Sequence, residues 1–532
     1  MRNLLPILAR PAVRAVLVAS LAGAFLCALA AGRTDRREPD EAAWLFSTVY
    51  ARLYASGDVS SEAWQNTDAV DHPPVGKYVI GICAALGGPL RETTRDKDFW
   101  HRYDLDMLQR GPFLAEIWRR VDPDALQRAR VGGALASAGA VGLVTWVGEL
   151  LVPGAGVVAG IALALHPLIR AYGGAALADP WFLLFALSAI AALVVLLRSV
   201  SADRGVGGPW IAVGVLGLAL GLVAGTKITG LALWLLPVLP IPWAWRRPVD
   251  RRRALLACAG SLLVASVVFI GTNPALWGDP LDVLVTMFQH RLERVELQQS
   301  LFEFDAIERP LARLWLGVVD PVGLYGPGNP SPFLGGSPTV ALFTAPILFA
   351  LAGLGGLVLV RERRRPVAGA LLAGVLLLGL PAITGYYLRW PRYLLPTLPL
   401  WALLAAVGLV AGVRGLGGTG LPFRARLRWP TTWLVCILAL VGLGMAAWHP
   451  PATIDTPQRE AHHRSVRRDL EAHYGRVHAE RLVARARVRI TEGRLEEALE
   501  IARFAARLDP DNLSAQELLE ELELPPDDPP GP

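Results

Sequence analysis

Eleven apolar stretches, each near the length of a membrane-crossing helix, decide what this sequence can fold into. They lie at about 12–32, 131–150, 155–171, 181–198, 209–225, 229–245, 254–271, 339–360, 367–384, 394–413 and 431–448. Roughly 20 apolar residues wound as a helix cross the hydrocarbon core, because such a segment pairs its own backbone polar groups. A chain that is 53% hydrophobic and 18% charged agrees, since soluble domains carry about 25% charged residues. The expected fold class is an all-α polytopic membrane protein with about 11 transmembrane helices.

A twelfth stretch, residues 75–90 within "DHPPVGKYVIGICAALGG", is shorter and opens on Pro73, Pro74 and Lys77. Charge bias arbitrates, because short cytoplasmic loops are enriched in Arg and Lys. The basic loops are 246–253 ("RRPVDRRR"), 361–365 ("RERRR") and 414–428, and the N-terminus carries Arg2, Arg10 and Arg14. All four fall on one side if there are eleven crossings and 75–90 lies along the membrane surface. Twelve crossings would part the N-terminus from the other three, so eleven is the expectation, with the N-terminus cytoplasmic. The first stretch ends in "ALAAG", which fits a signal-peptidase site without altering the topology downstream. The net charge of +6 sits in arginine tracts between apolar runs, a membrane-loop pattern that argues against a nucleic-acid partner. Cys27, Cys83, Cys258 and Cys436 all lie in apolar stretches and read as small core residues.

The opposite, outward face holds residues 33–130, 171–180, 225–230, 272–338, 385–393 and everything after 449. Residues 33–74 carry eight acidic and four basic residues, as does the 272–338 loop, so chemistry is expected on this face. Residues 37–57 place Ala43, Phe46, Val49, Tyr50 and Leu53 at helical spacing, which predicts an amphipathic helix on the membrane surface. Asp40 and Glu41 open it, either as an ordinary acidic helix start or as functional acids. Asp179 in "ALADPW" has the same two readings. Only three lysines stand against 49 arginines, and two of them, Lys77 and Lys227, guard mouths of apolar segments. A compact ammonium suits a phosphate at the membrane surface, while snorkelling to headgroups is the plainer reading. Arg389 and Arg392, with Tyr386, Tyr387 and Tyr393, form a third cationic cluster or an interfacial aromatic belt.

The order of these motifs, an acidic pair after the first span, then "HPPVGKY", "ALADPWFLL", "GTKITGL" and "RWPRYLLPTLPLWALLAA", resembles the glycosyltransferase family 39-like enzymes of the GT-C fold. That group includes the protein O-mannosyltransferases and the lipid A aminoarabinose transferases, and the resemblance covers about residues 12–415. It implies a polyprenyl-phosphate sugar donor, an active site between the first outer loop and the membrane, and placement in a bacterial inner membrane. Asp40 then matches the general base, with Glu41 orienting it or the acceptor, and Asp179 matches the second acidic motif. Lys77, Lys227 and Arg392 match cations that hold the lipid phosphate, with His72, Tyr387, Arg389 and Tyr393 as further substrate contacts. A polyprenyl phosphate leaves without a strong acid, so one base and several cations suffice, and attack opposite the leaving group inverts the anomeric centre. The acceptor, whether protein, lipid or glycan, stays open. No compact His/Asp/Glu set argues for a metal, and no cofactor beyond the lipid-linked donor is expected.

Residues 1–448 form the expected transferase domain, 449–523 a small C-terminal helical segment and 524–532 a disordered tail. Gly493, Ala498, Ala505 and Pro510 fall at tetratricopeptide spacing, which predicts a helical hairpin, either a plain packing unit or a docking site for a protein partner. Three rival functions remain: a ligase or polymerase of lipid-linked glycans, a secondary transporter, and a membrane scaffold. A transporter tends to show two related halves and midplane ionisable groups, neither of which is apparent.

Overall fold

The structure is a computed structural model. It describes residues 10–32, 39–65, 69, 72–88, 121–201, 208–244, 248–301, 338–361, 365–384, 391–416 and most of 479–523. These residues fall into two compact units, a large one ending at Leu416 and a small one within 479–523. Among the described residues there is no β-strand.

The large unit runs α1 (Pro11–Ala31), α2 (Pro39–Phe46), α3 (Val49–Ala55), α4 (Val75–Ala85), α5 (Pro123–Leu151), α6 (Ala155–Leu165), α7 (Pro167–Tyr172), α8 (Asp179–Ser201) and α9 (Gly208–Thr226). It continues with α10 (Pro240–Ala244), α11 (Pro248–Gly271), α12 (Pro280–Leu301), α13 (Pro338–Arg361), α14 (Arg365–Thr384) and α15 (Leu398–Leu416). Proline is the first residue of many of these helices, where its fixed φ suits the first turn and its missing N–H has no partner to lose.

Four helices are long and apolar enough to cross a membrane: Pro11–Ala31, Pro123–Leu151, Asp179–Arg198 and Arg251–Gly271. The chain is an integral membrane protein. Shorter apolar helices stand over six more of the expected crossings, and the 431–448 stretch lies outside the described residues. Proline accounts for two of the shorter ones. His166 is extended ahead of Pro167, which ends α6 early. The 229–245 stretch folds as a 3₁₀ helix over Ile228–Val238 with Pro237 inside it, then as the short α10. At about 2.0 Å per residue a 3₁₀ helix climbs further than an α-helix of equal length. By contrast, α4 has 11 residues, about 16 Å of helix, roughly half the hydrocarbon core, so it does not cross as a helix.

Residues 37–57 were expected to form one surface helix and instead form two, α2 and α3. At the break, Ser47 Oγ donates to Ala43 O and Thr48 Oγ1 to Leu45 O, the local side-chain bonding that competes with helix continuation. Every residue from Glu41 to Thr48 is buried, so α2 is packed into the protein rather than laid on lipid.

Small residues let the first helices close up. A Cβ on Gly142 of α5 would stand 2.9 Å from Ala19 Cβ of α1, and one on Gly156 of α6 only 1.9 Å from Thr145 O of α5. The contacts make α1 and α5 antiparallel: Arg14 donates to Glu149 at 2.6 Å near one end, and Gly174 meets Ala30 and Ala134 near the other. Arg198 donates to Leu150 O and Arg414 to Pro153 O, so three arginines gather at the Glu149 end. The acids and lysines singled out in the sequence gather at the opposite end.

The small unit packs α16 (Leu495–Leu508) and α17 (Leu513–Glu523) with helical residues between 479 and 491. Its core is mostly alanine, including Ala479, Ala486, Ala498, Ala502, Ala505 and Ala515, which permits close helix approach. Gly493 has φ of +74°, a left-handed conformation that favours glycine, and it turns the chain into α16.

Candidate functional site

The site is built on the turn 173–178, which feeds Asp179 into the first turn of α8. Three contacts seat that turn. Ser137 Oγ donates to Gly173 O at 3.0 Å, and Ala176 N donates to Glu41 Oε1 at 2.9 Å. Gly133 of α5 leaves the space for it, since a Cβ there would lie 2.5 Å from Ala175 O. Glu41 is 1% exposed and is also gripped by Arg130, whose Nε and Nη2 donate to its two oxygens at 2.8 and 2.7 Å. A buried ion pair is tolerated when its geometry is bidentate and its remaining lone pairs are used, as they are here. Glu41 therefore ties α2, α5 and the Asp179 turn together.

Next to it on α2, Asp40 is part-exposed and accepts a hydrogen bond from Arg392 Nη1, which comes from the 3₁₀ turn Pro391–Leu394. Arg392 also lies over the Tyr393 ring, 5.6 Å from its centroid. Lys227 Nζ donates to Asp179 Oδ1 at 2.6 Å. Gly76 of α4 sits between the two ion pairs. A Cβ on it would stand 3.0 Å from Ala178 Cβ, 3.3 Å from the Trp44 ring and 3.5 Å from Thr226 Cγ2. Ala178 precedes Asp179, Thr226 precedes Lys227 and Trp44 is one helical turn beyond Asp40, so four distant stretches of chain meet at one glycine.

Lys77 follows Gly76 and is 2% exposed, with Nζ 4.5 Å from the centroid of the Tyr50 ring. An ammonium held on an aromatic face is a cation–π contact, and its burial is unlike snorkelling to headgroups. His72 is half-buried and stacked on Trp44, with centroids 5.3 Å apart. Tyr387 and Arg389 lie outside the described residues. Among the sequence candidates, the structure thus brings Asp40, Glu41, His72, Lys77, Asp179, Lys227, Arg392 and Tyr393 into one region.

Other residues of this region escaped the sequence reading. Arg130 stands one residue before the 131–150 apolar run on the same helix, and a charge so placed needs a partner, which is the signal that could have found it. Tyr54 and Tyr78 donate their hydroxyls to Gly271 O and Thr272 O, both at 2.9 Å, fastening the end of α11 to α3 and α4. Burial, with Tyr54 beside it, pushes the Tyr78 hydroxyl far above the ordinary tyrosine range, so it stays a donor. Among the described residues, no group of three or more His, Cys, Asp or Glu side chains is placed to hold a metal ion.

No family model and no curated protein matches the sequence. Solved structures do. ArnT from Cupriavidus metallidurans, bound to undecaprenyl phosphate, is 16% identical with a TM-score of 0.44 over 95% of this chain and 77% of its own. The similarity falls on GT-C glycosyltransferases. The S. cerevisiae protein O-mannosyltransferase complex bound to the sugar donor is 15% identical, TM-score 0.37, over 51% of this chain and 34% of that one. The Archaeoglobus fulgidus oligosaccharyltransferase AglB, in complex with an inhibitory peptide and a dolichol-phosphate, is 12% identical, TM-score 0.43, over 79% and 55%. This is the group that the order of motifs resembles, and at such identities the chemistry rests on this chain's own side chains.

Proposed function

We propose that the chain is a membrane glycosyltransferase that moves a sugar from a polyprenyl-phosphate donor to an acceptor hydroxyl, with inversion, at the outer face of a bacterial plasma membrane. The observation that carries this reading is the meeting of Asp40–Arg392 and Asp179–Lys227 around Gly76, at the end of the bundle opposite Arg14, Arg198 and Arg414. In this reading Asp40 takes the acceptor proton as the acceptor oxygen attacks the anomeric carbon. The bond from that carbon to the phosphate oxygen breaks, and its electron pair stays on the polyprenyl phosphate. Lys227, Arg392 and Lys77 stabilise the charge that develops there. Arginine has five donor hydrogens and lysine three, so each can hold a phosphate oxygen while keeping its carboxylate partner. Glu41 and Arg130 act as positioning residues, holding the backbone that aims Asp40 and Asp179.

The C-terminal alanine-rich hairpin serves as a tetratricopeptide-like docking unit for a protein partner in this reading. Transfer assays with undecaprenyl-phosphate sugars test the whole. Asp40→Asn should express normally and lose transfer, and full activity in that variant would end the assignment of the base. A ligase or polymerase of lipid-linked glycans uses the same donor chemistry and is told apart by a product that lengthens with turnover.

A further inference from the structure

Asn273 is 0% exposed, and neither its Oδ1 nor its Nδ2 has a hydrogen-bond partner. Its backbone is satisfied: its N–H donates to Ile270 O at 3.0 Å and its C=O accepts from Leu276 N at 3.0 Å. The ordinary task of an asparagine at this point, the residue before Pro274 and the 3₁₀ turn Pro274–Leu276, is to cap that turn with its side chain, and it does not. A buried amide with both ends unused costs about 1–3 kcal/mol per group, so the sequence keeps here a side chain that the fold alone would replace.

Its surroundings say what would use it. Thr272 accepts the Tyr78 hydroxyl through its carbonyl, and its Oγ1 would lie 3.4 Å from a Cβ on Gly225. Leu276 packs with Ile228. The 272–276 segment therefore flanks Lys227 on both sides in sequence and touches the helix that carries Lys77. The cations there suit a phosphate, whereas an amide oxygen repels one. A lipid chain would leave both amide ends unused. A pair of sugar hydroxyls, each able to donate and accept, satisfies both.

We propose that Asn273 is a substrate-contact residue that recognises hydroxyls of the donor's sugar ring beside the phosphate-holding cations. The inference rests on the proposed function.

Two measurements on the full-length protein in nanodiscs test it. In thermal unfolding without lipid, Asn273→Leu, which replaces the unused amide by an apolar group of similar size, should melt no lower than wild type. A fall of several degrees would show instead that the amide is a structural group served by water, and would overturn the inference. In equilibrium binding, undecaprenyl phosphate is compared with a panel of undecaprenyl-phosphate hexoses and pentoses. Asn273→Leu and Asn273→Ala should bind the sugarless lipid within about twofold of wild type and the preferred sugar-bearing lipid at least about tenfold more weakly, the loss of roughly one to two hydrogen bonds. Equal losses on both lipids, no loss on either, or a wild type that gains nothing from any sugar would each sink the role of Asn273 while leaving the transferase reading standing. A wild type that binds neither lipid would sink both.

Discussion

Glu41 and Arg130, 89 residues apart in sequence, form a two-point ion pair that is sealed from solvent. Removing one member leaves the other as a lone buried charge, which costs about 3–5 kcal/mol. Glu41→Gln and Arg130→Ala should therefore lower the unfolding midpoint strongly, measured by thermal scans of the purified protein. Unchanged midpoints would show that the pair does not hold the site together.

Asp40→Asn should behave differently. Asp40 and Arg392 are part-exposed, and pairs of that kind contribute about 0–1 kcal/mol. The variant should keep its unfolding midpoint and lose turnover, so stability and activity separate the two adjacent acids.

Lys227→Met should weaken undecaprenyl phosphate binding by about tenfold or more, as one charge-assisted bond is worth about 1.5–3 kcal/mol. Lys227→Arg should restore only part of it, because the broad guanidinium fork does not fit where a compact ammonium meets Asp179. Full restoration would mean that charge alone matters there.

Gly133→Ala should destabilise by about 1–3 kcal/mol, since the new methyl would stand 2.5 Å from the Ala175 carbonyl, a backbone atom with little room to move. Displacing that turn moves Asp179, so turnover should fall in proportion, measured alongside thermal unfolding.

Alkaline pH should destabilise through Tyr78. Its folded-state pKa is raised by burial, while the unfolded chain ionises it near about 10. Stability from this group is present below pH about 10 and declines as pH rises above it, because only the unfolded state releases the proton. Tyr78→Phe should flatten that decline in a denaturation series from pH 8 to 11. An unchanged slope would assign the decline to other groups.

Much of this arrangement is legible in the sequence. Lys227 and Asp179 stand out because lysine is rare in this chain and acids at membrane entries are rarer still. Helix starts at Pro11, Pro123 and Pro280 follow from proline's fixed φ. What escaped depends on contacts between distant residues. Arg130 looks like one more basic residue until Glu41 is seen beside it. Asn273 reads as a turn cap because the local pattern Asn-Pro cannot reveal that the cap bond is unmade. The 3₁₀ helix over Ile228–Val238 is as apolar as an α-helix, and only the proline inside it distinguishes them.

The two tyrosine hydroxyls on consecutive carbonyls of residues 271 and 272 work as a double hinge-pin. The rim that follows α11 moves with the first outer loop as one piece. A fluorophore beside Trp277, on that rim, would thus register substrate arriving at Lys77, and loading could be timed from a position that never meets the substrate.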